Sequence, residues 1–124
     1  MARRNASPLR VRPNDPSVLI LTSLISGTKH GWALTKDIMD FAGVTLGPGS
    51  LYGAISRLEE RGLIEPLPSE DRRRPYRITP SGRAALTEAV QEMRTLVDVG
   101  ELRLGLRTLA RSLGGGFGAF GSIR

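Results

Sequence analysis

Three prolines, each directly after a residue suited to a helix start, do most to limit what this chain can become: Asp15-Pro16, Gly47-Pro48 and Thr79-Pro80. Proline lacks an amide hydrogen and is tolerated in a helix only in the first turn, where that hydrogen has no partner anyway. Each pair therefore predicts a helix that begins at the proline. The first of these helices must be short, because "GTKHG" follows it closely, and the one begun at Pro48 meets Gly62.

The apolar pattern fills in the rest. A first helix is read from Pro16 to Ser26, apolar nearly all round and hence deeply buried. A second spans Gly31 to Ala42, where Leu34, Ile38 and Phe41 recur at helical spacing, Lys36 and Asp37 stay on the wet side and Gly43 closes the end. The third carries the stripe Leu51, Ile55 and Leu58. "LIEPL" and "PYRIT" are strand candidates around "PSEDRRR", a hairpin with a long basic tip, and Pro66 puts its strand on an edge or ends it early. From Pro80 a fourth helix repeats Leu86, Val90, Met93 and Val97 as a heptad-like seam. Gly100 and Gly105 predict a bend or break near Gly100, after which Leu102, Leu106, Leu109 and Leu113 form a second seam.

Helix, helix, helix, strand, strand is the order of a winged helix-turn-helix. The expected class is mainly α with a small β-hairpin (α+β), extended by a C-terminal dimerisation helix. Residues 1–14 read as a flexible basic arm, 15–79 as the winged helix DNA-binding domain, 80–113 as the dimerisation helix or a broken helix pair, and 114–124 as a glycine-rich segment without fixed structure. The seam of helix four has a second possible use, packing back on its own domain. Helices one to three already offer enough apolar surface for a small core, which favours a second copy as its partner.

Eighteen Lys and Arg against twelve Asp and Glu leave a net charge of +6, and the matching partner of such a surface is a polyanion. Cysteine is absent and histidine occurs once, which removes disulfides, thiolate metal sites and most hydrolytic constellations. With no phosphate-binding glycine motif and no acid-base pair, the chain does not read as an enzyme, and no cofactor or metal is expected. No apolar run approaches the length of a membrane span, and a cytoplasmic location is the default.

"LGPGSLYGAISRLEERGLI" concentrates the functional signal. Pro48 and Gly49 leave the helix start free of bulk, so backbone amides and the positive dipole end can approach a phosphate. Opposite the apolar stripe stand Ser50, Tyr52, Gly53, Ser56 and Arg57, able to bond phosphates and base edges, with Arg57 the candidate guanine reader. Arg72, Arg73 and Arg74 at the hairpin tip, and Lys36 on helix two, complete the DNA-facing set. The plainer readings are a solvated helix face and a turn whose arginines pair with Glu70 and Asp71; the hairpin context favours DNA. Trp32 is core or the wall of a ligand pocket, His30 a structural residue near it, and Tyr76 a half-buried strand aromatic.

These residues resemble the PadR family of bacterial transcriptional regulators. The likeness rests on "HGWALTKDI" at 30–38, "LGPGSLYGAISRLEERGLIE" at 46–65 and "RRRPYRITPSGRAAL" at 72–86, and spans about Val18 to Val97. It implies a homodimeric, usually repressing, DNA-binding protein that dimerises through helix four with helix one and responds in some members to small molecules. The wing departs from the family pattern: Pro75 precedes one aromatic, Tyr76, and no glycine stands near the arginines. The expected function is that of a sequence-specific regulator on a near-palindromic operator of double-stranded DNA. The rivals are a winged-helix module that binds another protein, and a sensor holding an aromatic or cationic molecule at the dimer interface.

Overall fold

Each of the three cap-proline pairs opens a helix. The computed structural model describes residues 9, 12–69 and 71–106. Its elements are α1 (Pro16–Ile25), α2 (Gly31–Ala42), α3 (Pro48–Glu60), β1 (Ile64–Pro66), β2 (Tyr76–Ile78) and α4 (Pro80–Leu104). The Asp15 carboxylate accepts the Ser17 amide at 2.9 Å, and the Thr79 hydroxyl accepts the Gly82 amide at 3.0 Å. Gly47 offers no side chain, so α3 starts without a side-chain cap. Gly43, in the left-handed region at φ 69°, closes α2 as expected. The described chain divides into two compact units between Met93 and Arg94.

The core of the first unit is an interlock of Ile20 and Leu21 from α1, Leu34 and Ile38 from α2, and Ile55 and Leu58 from α3, all fully buried. Leu63, Ile64, Tyr76 and Ile78 of the hairpin region join the same cluster. β1 and β2 pair antiparallel with Ile64 opposite Ile78, Glu65 opposite Arg77 and Pro66 opposite Tyr76. Pro66 stands opposite Tyr76 at a position where β1 need donate no amide, and one more bond follows it, from the Leu67 amide to the Pro75 carbonyl at 2.9 Å. Across the strands, Arg77 and Glu65 form a partly exposed ion pair at 2.6 Å.

One connection has no counterpart in the expected pattern. Lys29 and Tyr76 exchange two backbone hydrogen bonds, of 3.2 and 2.9 Å, so the α1–α2 linker becomes a one-residue third edge of the hairpin. The Lys29 ammonium donates to the Ser23 carbonyl and the Ser26 hydroxyl, while the Ser23 hydroxyl donates to Asp37 at 2.6 Å. Asp37 is therefore a half-buried tie between α1 and α2 rather than a solvated charge.

Four expectations need correction. Leu9, inside the segment read as a free arm, is buried in the core cluster, and Arg12 pairs with Asp15; residues 1–8, 10 and 11 lie outside the described set. Phe41 shares the face of Leu34 and Ile38 yet is exposed, because it sits in the last turn of α2 where no described element closes over it. Leu86, assigned to the dimer seam, is buried with Ala85 and Ala89 in the subunit's own core, and Met93 packs partly against that core. Of that seam only Val90 and Val97 stand exposed. Finally, α4 does not break at Gly100 but runs unbroken to Leu104 and stops before Gly105, whose φ is 76°. A glycine inside a helix costs about 1 kcal/mol relative to alanine, too little to interrupt a long helix, whereas a left-handed glycine ends one. Leu109, Leu113 and the glycine-rich stretch 114–124 lie outside the described residues. Among the described residues no helix is long and apolar enough to cross a membrane.

Candidate nucleic-acid interface

α3 presents two unlike faces. Leu51, Ala54, Ile55 and Leu58 are buried, as 3.6-residue spacing requires of a stripe packed inward. On the other side Pro48, Gly49, Ser50, Ser56 and Arg57 are exposed, Tyr52 is half exposed and Gly53 is intermediate. Neither Tyr52 nor Arg57 is sealed inside the subunit. The Arg57 guanidinium lies along the helix over Gly53, whose missing side chain would meet Nη1 in ordinary contact at 3.5 Å. Among the described residues, Arg57 forms no ion pair, and Tyr52 alone of the stripe leans toward the start of α2.

The wing tip turns through two successive residues in left-handed conformation, Asp71 at φ 48° and Arg72 at φ 66°. This is the region of backbone space that glycine and asparagine enter without strain. Arginine there costs about 1 kcal/mol. Arg57, Arg72, Arg73 and Arg74 form no ion pair with any described carboxylate, Asp71 included, while Glu70 lies outside the described residues. Instead Arg73 Nη1 stands 3.5 Å from His30 Nε2, which accepts from it when unprotonated.

Between the start of α2, the middle of α3 and the wing lies a cleft of about 310 Å³. His30, Gly31 and Trp32 line it from α2, Tyr52 from α3, and Arg72, Arg73, Arg74 and Tyr76 from the wing. Burial, together with the nearby charges of Glu59 and Tyr52, pushes the Tyr76 phenol up against the opposing pull of Arg74, so it keeps its proton.

Trp32 is 67% exposed, which overturns the core reading. It lies two residues before Leu34, about 200° around the helix from the buried face. Lys36, one turn on, places its ammonium 5.4 Å from the indole centroid. A recess bordered by arginines suits an anion, not the cation that a lone tryptophan allows.

The fold thus brings α3's polar stripe and the wing arginines to neighbouring elements of one unit, and adds residues that sequence reasoning set aside: His30, Tyr76 and Gly31. Gly31 had a readable signal, a glycine opening a helix. Its role is steric, for a methyl group there would lie 2.9 Å from Tyr52 Cζ and closer still to the phenol oxygen. Gly31 makes the room in which Tyr52 lies.

Comparison with known proteins gives a consistent picture. The Transcriptional regulator PadR-like family matches residues 20–88. The chain is 46% identical over 65 residues to the transcriptional regulator Rv3488 of Mycobacterium tuberculosis, covering 48% of this chain and 57% of that one. It is 43% identical over 86 residues to an uncharacterized 37.1 kDa protein in transposon TN4556 of Streptomyces fradiae, covering 69% of this chain and 25% of the other. The matches therefore span just over half and a quarter of the lengths of these two curated relatives. A PadR family transcription regulator from Clostridium difficile superposes with a TM-score of 0.65 at 26% identity, over 72% of this chain and 97% of that one.

Proposed function

The chain belongs to the PadR-like family of transcriptional regulators, and on that premise we propose that it binds a near-palindromic operator as a homodimer and represses the adjoining gene in the cytoplasm. In this reading Ser50, Tyr52, Gly53, Ser56 and Arg57 of each copy face one major groove. Pro48 and Gly49 approach a phosphate, and Lys36, Arg72, Arg73 and Arg74 hold the flanking backbone. The observation that carries it is the bare polar stripe of α3, exposed opposite a stripe that is wholly buried. Wing arginines that meet no described carboxylate add a counter-charge for phosphates.

Val90, in the first unit, supports pairing of two copies through α4, because a large apolar residue is left exposed there. So do Leu96, Val97, Leu102 and Leu104 in the second unit. Selection of bound sequences from random DNA should return a two-fold site whose half-sites lie about 34 Å apart. Light scattering should give twice the 13.4 kDa chain mass. Asymmetric sites recovered by a monomer would reject the dimeric reading, and an acidic protein bound where duplex is not would favour the interaction-module alternative.

Gly31→Ala provides a sharper probe of α3. Tyr52 is half exposed, so its ring can swing away from the added methyl. The melting temperature should move by only a few degrees, roughly the effect of under 1 kcal/mol. Affinity for operator duplex should fall several-fold because Tyr52 is displaced. Calorimetry beside fluorescence anisotropy separates the two, and unchanged affinity would exclude Tyr52 from the interface.

A further inference from the structure

The cleft at the start of α2 gathers side chains that packing does not require there. Arg72, Arg73 and Arg74 enter it from the wing with no carboxylate partner among the described residues. Trp32 borders it with a largely exposed indole, and Tyr52 with a phenol that lies against Gly31. The backbone works against this arrangement, since Arg72 is held at φ 66° where glycine would sit at ease. Arg72 nevertheless lines the recess beside Arg73 and Arg74.

One phosphate diester matches this lining. Arginine forks bind its oxygens in pairs, a phenol donates to them, and an indole covers the apolar side of the attached sugar. We infer that the cleft seats one backbone phosphodiester of bound duplex, with Trp32 packed on the adjoining deoxyribose. The start of α2 then becomes a third point of contact beside α3 and the wing. The inference rests on the DNA-binding reading above. It also moves the Tyr52 hydroxyl from the base-reading set to the phosphate seat. Such a contact fixes register on the duplex and carries no base information.

Trp32 is the sole tryptophan of the chain, so its emission reports on the cleft directly. The full chain is titrated with an operator duplex and with an unrelated duplex of equal length, following tryptophan emission, acrylamide quenching and the anisotropy of labelled DNA together. Both duplexes should shield Trp32 as they saturate the anisotropy signal. Arg72→Gly should melt at or above the wild-type temperature yet bind both duplexes about tenfold more weakly. Its salt dependence should be shallower by about 0.9 per subunit. Tyr52→Phe should likewise weaken both duplexes by one common factor. Pyrophosphate, the free-anion arm, should shield Trp32 only weakly and compete with duplex.

DNA that saturates the anisotropy signal while Trp32 stays equally open to acrylamide would overturn the proposal. So would an Arg72→Gly chain with altered base preference, or pyrophosphate binding more tightly than duplex. A wild-type chain that binds no duplex at all would instead remove the DNA-binding reading beneath it.

Discussion

A single methyl group added at position 82 is expected to lower the melting temperature by about 10–25 °C, the effect of roughly 3 kcal/mol in a small domain. Gly82→Ala would ordinarily help a helix. Here the sign reverses, because the new Cβ lies 2.7 Å from Ile78 Cγ1 and 3.1 Å from the Leu63 carbonyl carbon, and nearer still to the Leu63 oxygen. That oxygen already accepts the Thr79 amide at 3.1 Å, so the backbone cannot yield without loosening the joint between the hairpin and α4. Domains of this kind hold only about 5–15 kcal/mol in total. Gly100→Ala supplies the control: it too is a glycine within α4, but nothing stands within 4 Å of its missing side chain. That variant should gain up to about 1 kcal/mol. Thermal denaturation followed by circular dichroism reads both, and a Gly82→Ala chain as stable as the parent would disprove the close joint.

Arg57→Ala should reduce affinity for the selected operator by at least about 30-fold while barely changing affinity for unrelated duplex. One paired guanine contact is worth about 1–3 kcal/mol and a two-fold complex has two of them. Arg57 is exposed and pairs with no described carboxylate, so its removal leaves fold stability nearly unchanged and the loss is read cleanly in binding. Arg73→Ala should behave differently, weakening all duplexes alike and flattening the salt dependence. Anisotropy titrations of both variants on operator and scrambled duplexes decide the matter; equal losses on both duplexes for Arg57→Ala would rule out base reading by this residue.

Much of the architecture was legible because its signals are local. Asp15-Pro16, Gly47-Pro48 and Thr79-Pro80 each set a helix start, and Leu51, Ile55 and Leu58 set the inward face of α3. What sequence reasoning missed depends on contacts between distant segments. The Lys29–Tyr76 bridge is one residue long and leaves no periodic trace. Leu86 has the spacing of a dimer seam but meets its own hairpin-bearing core first, and spacing alone does not name the partner. Trp32 reads as core on hydrophobicity and proves exposed on angular position. The left-handed Arg72 was invisible because no glycine marks the turn. The candidate interface was legible as a list of residues on α3 and the wing; the recess shared by His30, Trp32 and Tyr76 emerges only once the hairpin is folded against α2.

The backbone bridge between Lys29 and Tyr76 has an evolutionary corollary. It uses main-chain atoms alone, so the two bonds at the base of the wing call for no particular side chain at either position, proline excepted. Drift at residues 71–74 can then trade charge for charge, or length for length, without re-aiming the platform that carries them. On the DNA-binding reading, a few codon changes at the tip reset affinity for every duplex alike, while the scaffold beneath is inherited intact.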